Sequence, residues 1–154
     1  MATKMKVTDF ATEQDFKNHK KNLKRVEVAI QRRCRVNIVN EIIKEIANCG
    51  RRFFHNEGLV AELSAEYGKI YYNAEYGPIK KICLNIPDYR KPKGWFHGGT
   101  LLHLVKEFRD FVKDGEKREY SVLFSPHWGY PEKDMVAIRK KAFELGFLRF
   151  STEK

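Results

Sequence analysis

The runs Arg52-Phe53-Phe54-His55, Leu59-Val60-Ala61-Glu62-Leu63, Gly68-Lys69-Ile70-Tyr71-Tyr72 and Ile79-Lys80-Lys81-Ile82-Cys83-Leu84 decide the fold class. Each is short and rich in β-branched and aromatic residues. Asn56-Glu57-Gly58, Glu66-Tyr67-Gly68 and Tyr76-Gly77-Pro78 separate them, and these are residues that suit tight turns. The pattern predicts an antiparallel β-meander of three to four strands over about residues 52–85. Tyr71 and Tyr72 must face opposite sides of such a sheet, so the side facing the core takes one of them.

The chain before the meander reads as helix. Thr12 precedes Glu13 and Asp15, an N-cap followed by acids at the positive end of a helix dipole, and no Gly or Pro intervenes before Gly50. The basic helical region therefore covers about residues 12–49, as one long helix or as two joined near Arg35. Phe16, Leu23, Val26, Ile30, Cys34, Ile38, Ile42 and Ile46 recur at helical spacing and form the stripe expected to face the core. Cys34 and Cys83 read as buried thiols.

After the meander, Pro87, Pro92 and Gly94 mark a loop carrying Arg90, Lys91 and Lys93 and ending in Trp95-Phe96. Gly98-Gly99-Thr100 opens a second helix, with Leu101, Leu104, Val105, Phe108, Phe111 and Val112 on its apolar face and Gly115 at its end. A strand is expected at Tyr120 to Phe124 and a turn at Ser125 to Tyr130. A last helix from Pro131 to Gly146 buries Met135, Ile138, Ala142 and Leu145. The fold class is α+β in a single domain, residues 1–154. A long N-terminal helix precedes the meander, and two C-terminal helices fill about residues 99–146.

The chemistry is dominated by charge. The 154 residues carry a formal net charge of +10. From Lys17 to Arg35, Lys17, Lys20, Lys21, Lys24, Arg25, Arg32, Arg33 and Arg35 face one acid, Glu27. A dense row of cations is what a polyanion's phosphates require. The nucleic-acid-binding candidates are Lys17, Lys20, Lys21, Lys24, Arg25, Arg32 and Arg35, with Arg90, Lys91, Lys93 and Trp95 as a second contact where an aromatic beside cations could stack on a base. A solvated helix face explains the same charges without a ligand. DNA and RNA are not distinguished.

His97, Gly98, Gly99 and Thr100 form a candidate anion-binding turn, because free backbone N–H groups and a hydroxyl meet there at a helix start. Ordinary helix capping accounts for the same residues, and the Gly-Lys-Ser/Thr ending of a phosphate loop is absent. An enzyme or small-anion receptor would need this turn to converge with His127.

No catalytic residue, metal site or cofactor is expected. The three cysteines and five histidines lack zinc-ligand spacing. Pro87-Asp88 opens like one nuclease motif without its acid-x-Lys continuation, and Glu62, Glu66 and Glu75 have no metal-binding spacing. The odd cysteine count and the absence of a leader-like start point to a reducing cytoplasm, and no apolar run approaches the roughly 20 residues of a membrane span.

Trp95-Phe96-His97-Gly98-Gly99-Thr100-Leu101-Leu102, then Phe111-Val112, Trp128-Gly129-Tyr130 and Ile138 to Gly146, resemble the second half of small uncharacterised tailed-phage proteins. The resemblance implies a viral origin, hence host cytoplasm, and no activity. It raises a second reading, an inhibitor or adaptor that binds a host or defence protein through Trp95, Trp128 and Tyr130. The first reading is a non-enzymatic nucleic-acid-binding accessory factor. The long apolar stripe also raises a helix-mediated homodimer.

Overall fold

The computed structural model describes residues 12–49, 54–123 and 130–150. Helix α1 runs uninterrupted from Glu13 to Ala47, so the single long helix is the arrangement adopted. Its first turn is capped as its sequence demands: Thr12 Oγ1 accepts the Asp15 backbone N–H at 3.0 Å.

The chain divides into two units between Gln31 and Arg32. In the first, α1 up to Gln31 displays its apolar residues: Leu23, Val26 and Ile30 are 52%, 55% and 54% exposed. In the second, the remaining turns of α1 bury Val36, Val39, Ile42, Ile43 and Ile46 in the core. The expected stripe is thus corrected over its first half, and Cys34 is exposed while Cys83 is only half-buried. The buried line uses Val36, Val39 and Ile43, residues that a stripe counted from Phe16 passes over.

The meander is present in smaller pieces. Strands β1 (His55–Asn56) and β2 (Leu59–Val60) form one antiparallel hairpin. Strands β3 (Glu62–Glu66), β4 (Lys69–Asn73) and β5 (Lys81–Cys83) form an antiparallel sheet in that order. The expected Leu59 to Leu63 strand is divided at Ala61, whose N–H turns to the Phe54 carbonyl at 2.7 Å. Both hairpin turns put two successive residues at positive φ, Glu57-Gly58 and Tyr67-Gly68, as two-residue turns of this hand require. Register then stacks Leu63, Tyr72 and Ile82 across the buried face.

Helix α2 (Gly99–Asp114) lays Leu101, Leu104, Val105, Phe108 and Val112 into the same core and ends at Gly115, whose φ is 78°. Helix α3 (Glu132–Glu144) follows Pro131 and buries Met135, Ile138 and Ala142, with Leu145 half-buried just beyond it. The expected strand at Tyr120 is corrected: β6 is Arg118–Glu119, and Tyr120–Leu123 form a 3₁₀ turn. β6 pairs in parallel with β7 (Leu148–Arg149), a strand the sequence pattern did not reveal. Arg52, Phe53, Phe124 and the turn residues 125–129 lie outside the described residues.

Two polar contacts set how α1 meets the rest of its unit. The Asn40 amide donates to the Leu63 carbonyl at 3.0 Å and accepts the Leu63 N–H at 2.7 Å, closing the free edge of β3. Arg35 Nε donates to the Val112 carbonyl at 2.9 Å, and Arg32 Nε to the Lys113 carbonyl at 3.4 Å, at the negative end of α2. Asn40→Ala should leave the Leu63 backbone groups unpaired and cost about 1–3 kcal/mol, read as a lower urea midpoint with an unchanged slope.

Candidate functional site

Lys20, Lys21, Lys24 and Arg25 on α1 are exposed. Lys17 is exposed and pairs with Glu13 at 3.4 Å, and the Lys20 ammonium lies 4.7 Å from the Phe16 ring centre. These side chains can meet phosphate without disturbing the core. Arg32 and Arg35 are engaged by the α2 carbonyls instead, so their charge is partly committed to packing.

The second cationic cluster is built on α2. Lys106 Nζ donates to the carbonyls of Asp88 and Arg90 at 2.6 and 2.8 Å. Arg109, only 6% exposed, donates to the Leu84 and Ile86 carbonyls and forms ion pairs with Asp88 and Asp110. Its bond to Asp88 holds that carboxyl below the usual carboxylate range. Asp88 is therefore a tether for the loop, which suits it poorly to metal-assisted cleavage. Among the described residues, no cluster of three or more His, Cys, Asp or Glu could hold a metal ion.

This anchoring presents Arg90, Lys91 and Lys93 to solvent, as the sequence pattern suggested. The aromatic beside them is different. Trp95 turns inward, half-buried, with its ring centre 5.3 Å from that of Tyr72 and its indole N–H directed at the Gly98 carbonyl at 3.4 Å. Tyr89 points outward at 82% exposure with the Arg90 guanidinium 5.6 Å from its ring centre. The signal available in sequence was its position between Pro87 and Pro92, where a short loop has little room to fold an aromatic beneath itself.

His97 sits in an aromatic cluster with Tyr72, Tyr76, Trp95 and Phe96, its ring centre 4.1 Å from that of Phe96. The Tyr72 and Tyr76 hydroxyls are 3.4 Å apart, and burial pushes both phenols above their ordinary value. Gly77 makes the packing feasible, since a Cβ there would run into the Phe96 ring. Burial lowers the His97 pKa, and its buried Nε2 has no hydrogen-bond partner among the described residues. The ring is thereby kept neutral and brings no positive charge to the turn. Gly98 caps α2 through its backbone alone, and Gly98, Gly99 and Thr100 are exposed. His127 and Trp128 lie outside the described residues, and Tyr130 is buried.

Among the described residues, no helix is long and apolar enough to cross a membrane. Residues 29–153 match the model of the YoqU family. The chain belongs to the YoqU family. It is 30% identical over 117 residues to the SPbeta prophage-derived uncharacterized protein YoqU of Bacillus subtilis (strain 168), a match covering 74% of this chain and 82% of the relative. No solved structure matches. The phage resemblance read from the second half thus holds, and the YoqU match extends it back to Ala29, while Lys17 to Arg25 precede the matched residues.

The neutral state of His97 makes stability depend on pH in a definite direction. The imidazole protonates near pH 6.5 when unfolded and at a lower pH when folded, so its contribution is complete above about pH 6.5 and is lost as pH falls through the folded value. Denaturant titrations at stepped pH should show this acid decline in the wild type, and His97→Phe should flatten it.

Proposed function

We propose that this phage-derived protein is a non-enzymatic accessory factor that binds single-stranded nucleic acid through phosphate contacts and base stacking. The observation that carries the reading is the tethered loop in which exposed Tyr89 stands beside exposed Arg90, Lys91 and Lys93. A stacking face with adjacent cations is the common chemistry of single-strand binding, because every base has a π-face and every nucleotide a phosphate. Lys17, Lys20, Lys21, Lys24 and Arg25 on α1 supply a further row of cations for the backbone. The host-protein reading loses support, because Trp95 and Tyr130, two of its expected anchors, are turned into the fold.

Binding of nuclease-treated protein to labelled single- and double-stranded DNA and RNA across a salt series tests this reading. Tyr89→Ala should weaken single-strand binding about fivefold to 150-fold, given stacking worth roughly 1–3 kcal/mol per base. Reversing Lys20, Lys21 and Lys24 together to Glu should abolish binding in a folded protein at physiological salt. Where residual binding is measurable at low salt, the log–log salt slope should fall by about 0.7 for each phosphate that is no longer neutralised. No binding by the wild type at low salt, or full binding by the triple variant, would remove the proposal.

A further inference from the structure

Leu23, Val26 and Ile30 form a solvent-facing apolar seam on α1, each more than half exposed. Leu23 and Ile30 are seven residues apart and Val26 lies between them, the spacing that keeps side chains on one line of a helix facing a second helix. Phe16 stands seven residues before Leu23 on the same line. The next positions at that interval after Ile30 are Asn37 and Lys44, both polar and exposed, so the seam is confined to the first unit. An exposed apolar line on a helix dense in lysine and arginine has no use in solvation.

The charges beside the seam say what covers it. Lys20 and Glu27 both flank it at the same heptad position, one repeat apart. When two identical helices of this spacing run antiparallel, that position on one helix faces the same position on the other. Leu23 of each copy then packs against Val26 of its partner, and Lys20 of each copy faces Glu27 of its partner, giving two opposite-charge pairs from one sequence. Lys17, Lys21, Lys24 and Arg25 fall at outer positions, away from the seam, so like charges are kept apart. Glu27 is the one acid among the basic residues from Lys17 to Arg35, and the pairing gives it a specific role.

We propose that two copies of this chain associate through an antiparallel pairing of their α1 helices over residues 19–30, with Leu23, Val26 and Ile30 as the seam, Ile30 against His19 of the second copy, and Lys20 facing its Glu27. The dimer leaves the outer cations of both helices in solvent, so it is compatible with polyanion binding and independent of it. The seam is short and places the pairing at the small end of specific interfaces.

Sedimentation equilibrium of the full-length, nuclease-treated chain, carried into the high micromolar range, tests the pairing. The wild type should show a reversible monomer–dimer equilibrium. Val26→Asp should weaken it about thirtyfold or more while leaving helix content by circular dichroism unchanged. Glu27→Lys should weaken it by juxtaposing Lys20 with a lysine, and adding Lys20→Glu should restore it. In a parallel pair Lys20 would face Asp15 instead, and the double substitution would weaken association further. A wild type that stays monomeric throughout overturns the proposal. A dimer indifferent to Val26→Asp, or one that the double substitution does not rescue, overturns it equally.

Discussion

The Asn40 amide takes both outward-facing backbone groups of Leu63, and the register of α1 against β3 depends on that clasp. β3 is an edge strand, and an edge with open N–H and C=O groups has no reason to lie at one height along a helix. With Asn40 holding it, Val36, Val39 and Ile43 are set against the buried face that Leu63, Tyr72 and Ile82 present. A helix with an apolar face alone could slide by a turn at little cost. The two hydrogen bonds make each such slip leave a polar group unpaired.

α2 is held by the same logic from its other end. Its last carbonyls accept Arg35 and Arg32, and its outer side offers Lys106 and Arg109 to the carbonyls of the loop that follows β5. Strands of two to five residues supply few ladder bonds, so long cationic side chains take over much of the work of fastening loops. This explains why a strongly basic chain folds without hiding its charge. Some cations are structural rivets and others stand in solvent, and net charge alone cannot tell the two kinds apart.

Phage ancestry and a lysine-rich helix describe this member of the YoqU family at two different levels. The family match begins at Ala29, so the region most suggestive of polyanion binding precedes it, whereas the Tyr89 loop lies inside it. A function shared across the matched residues would be sought at the loop, and one particular to this chain on the first turns of α1.

Local chemistry alone determined the cap at Thr12, the helix stop at Gly115, both two-residue hairpin turns and the α+β order, because each depends on neighbours within a few residues. The parallel pairing of Arg118–Glu119 with Leu148–Arg149 was illegible, since two-residue strands carry no periodicity and their partner lies across α3. At the candidate site, the cations Arg90, Lys91 and Lys93 were legible as an exposed cluster, but the aromatic that stands with them was not. Whether Trp95 or Tyr89 faces water depends on Tyr72 packing against one ring and on α2 tethering the loop that bears the other. The apolar periodicity of α1 was written in the sequence from Phe16 to Ile46. Only the tertiary structure decided that Leu23, Val26 and Ile30 stay exposed while Val36, Val39, Ile42, Ile43 and Ile46 are buried, because burial requires a second surface and periodicity by itself supplies none.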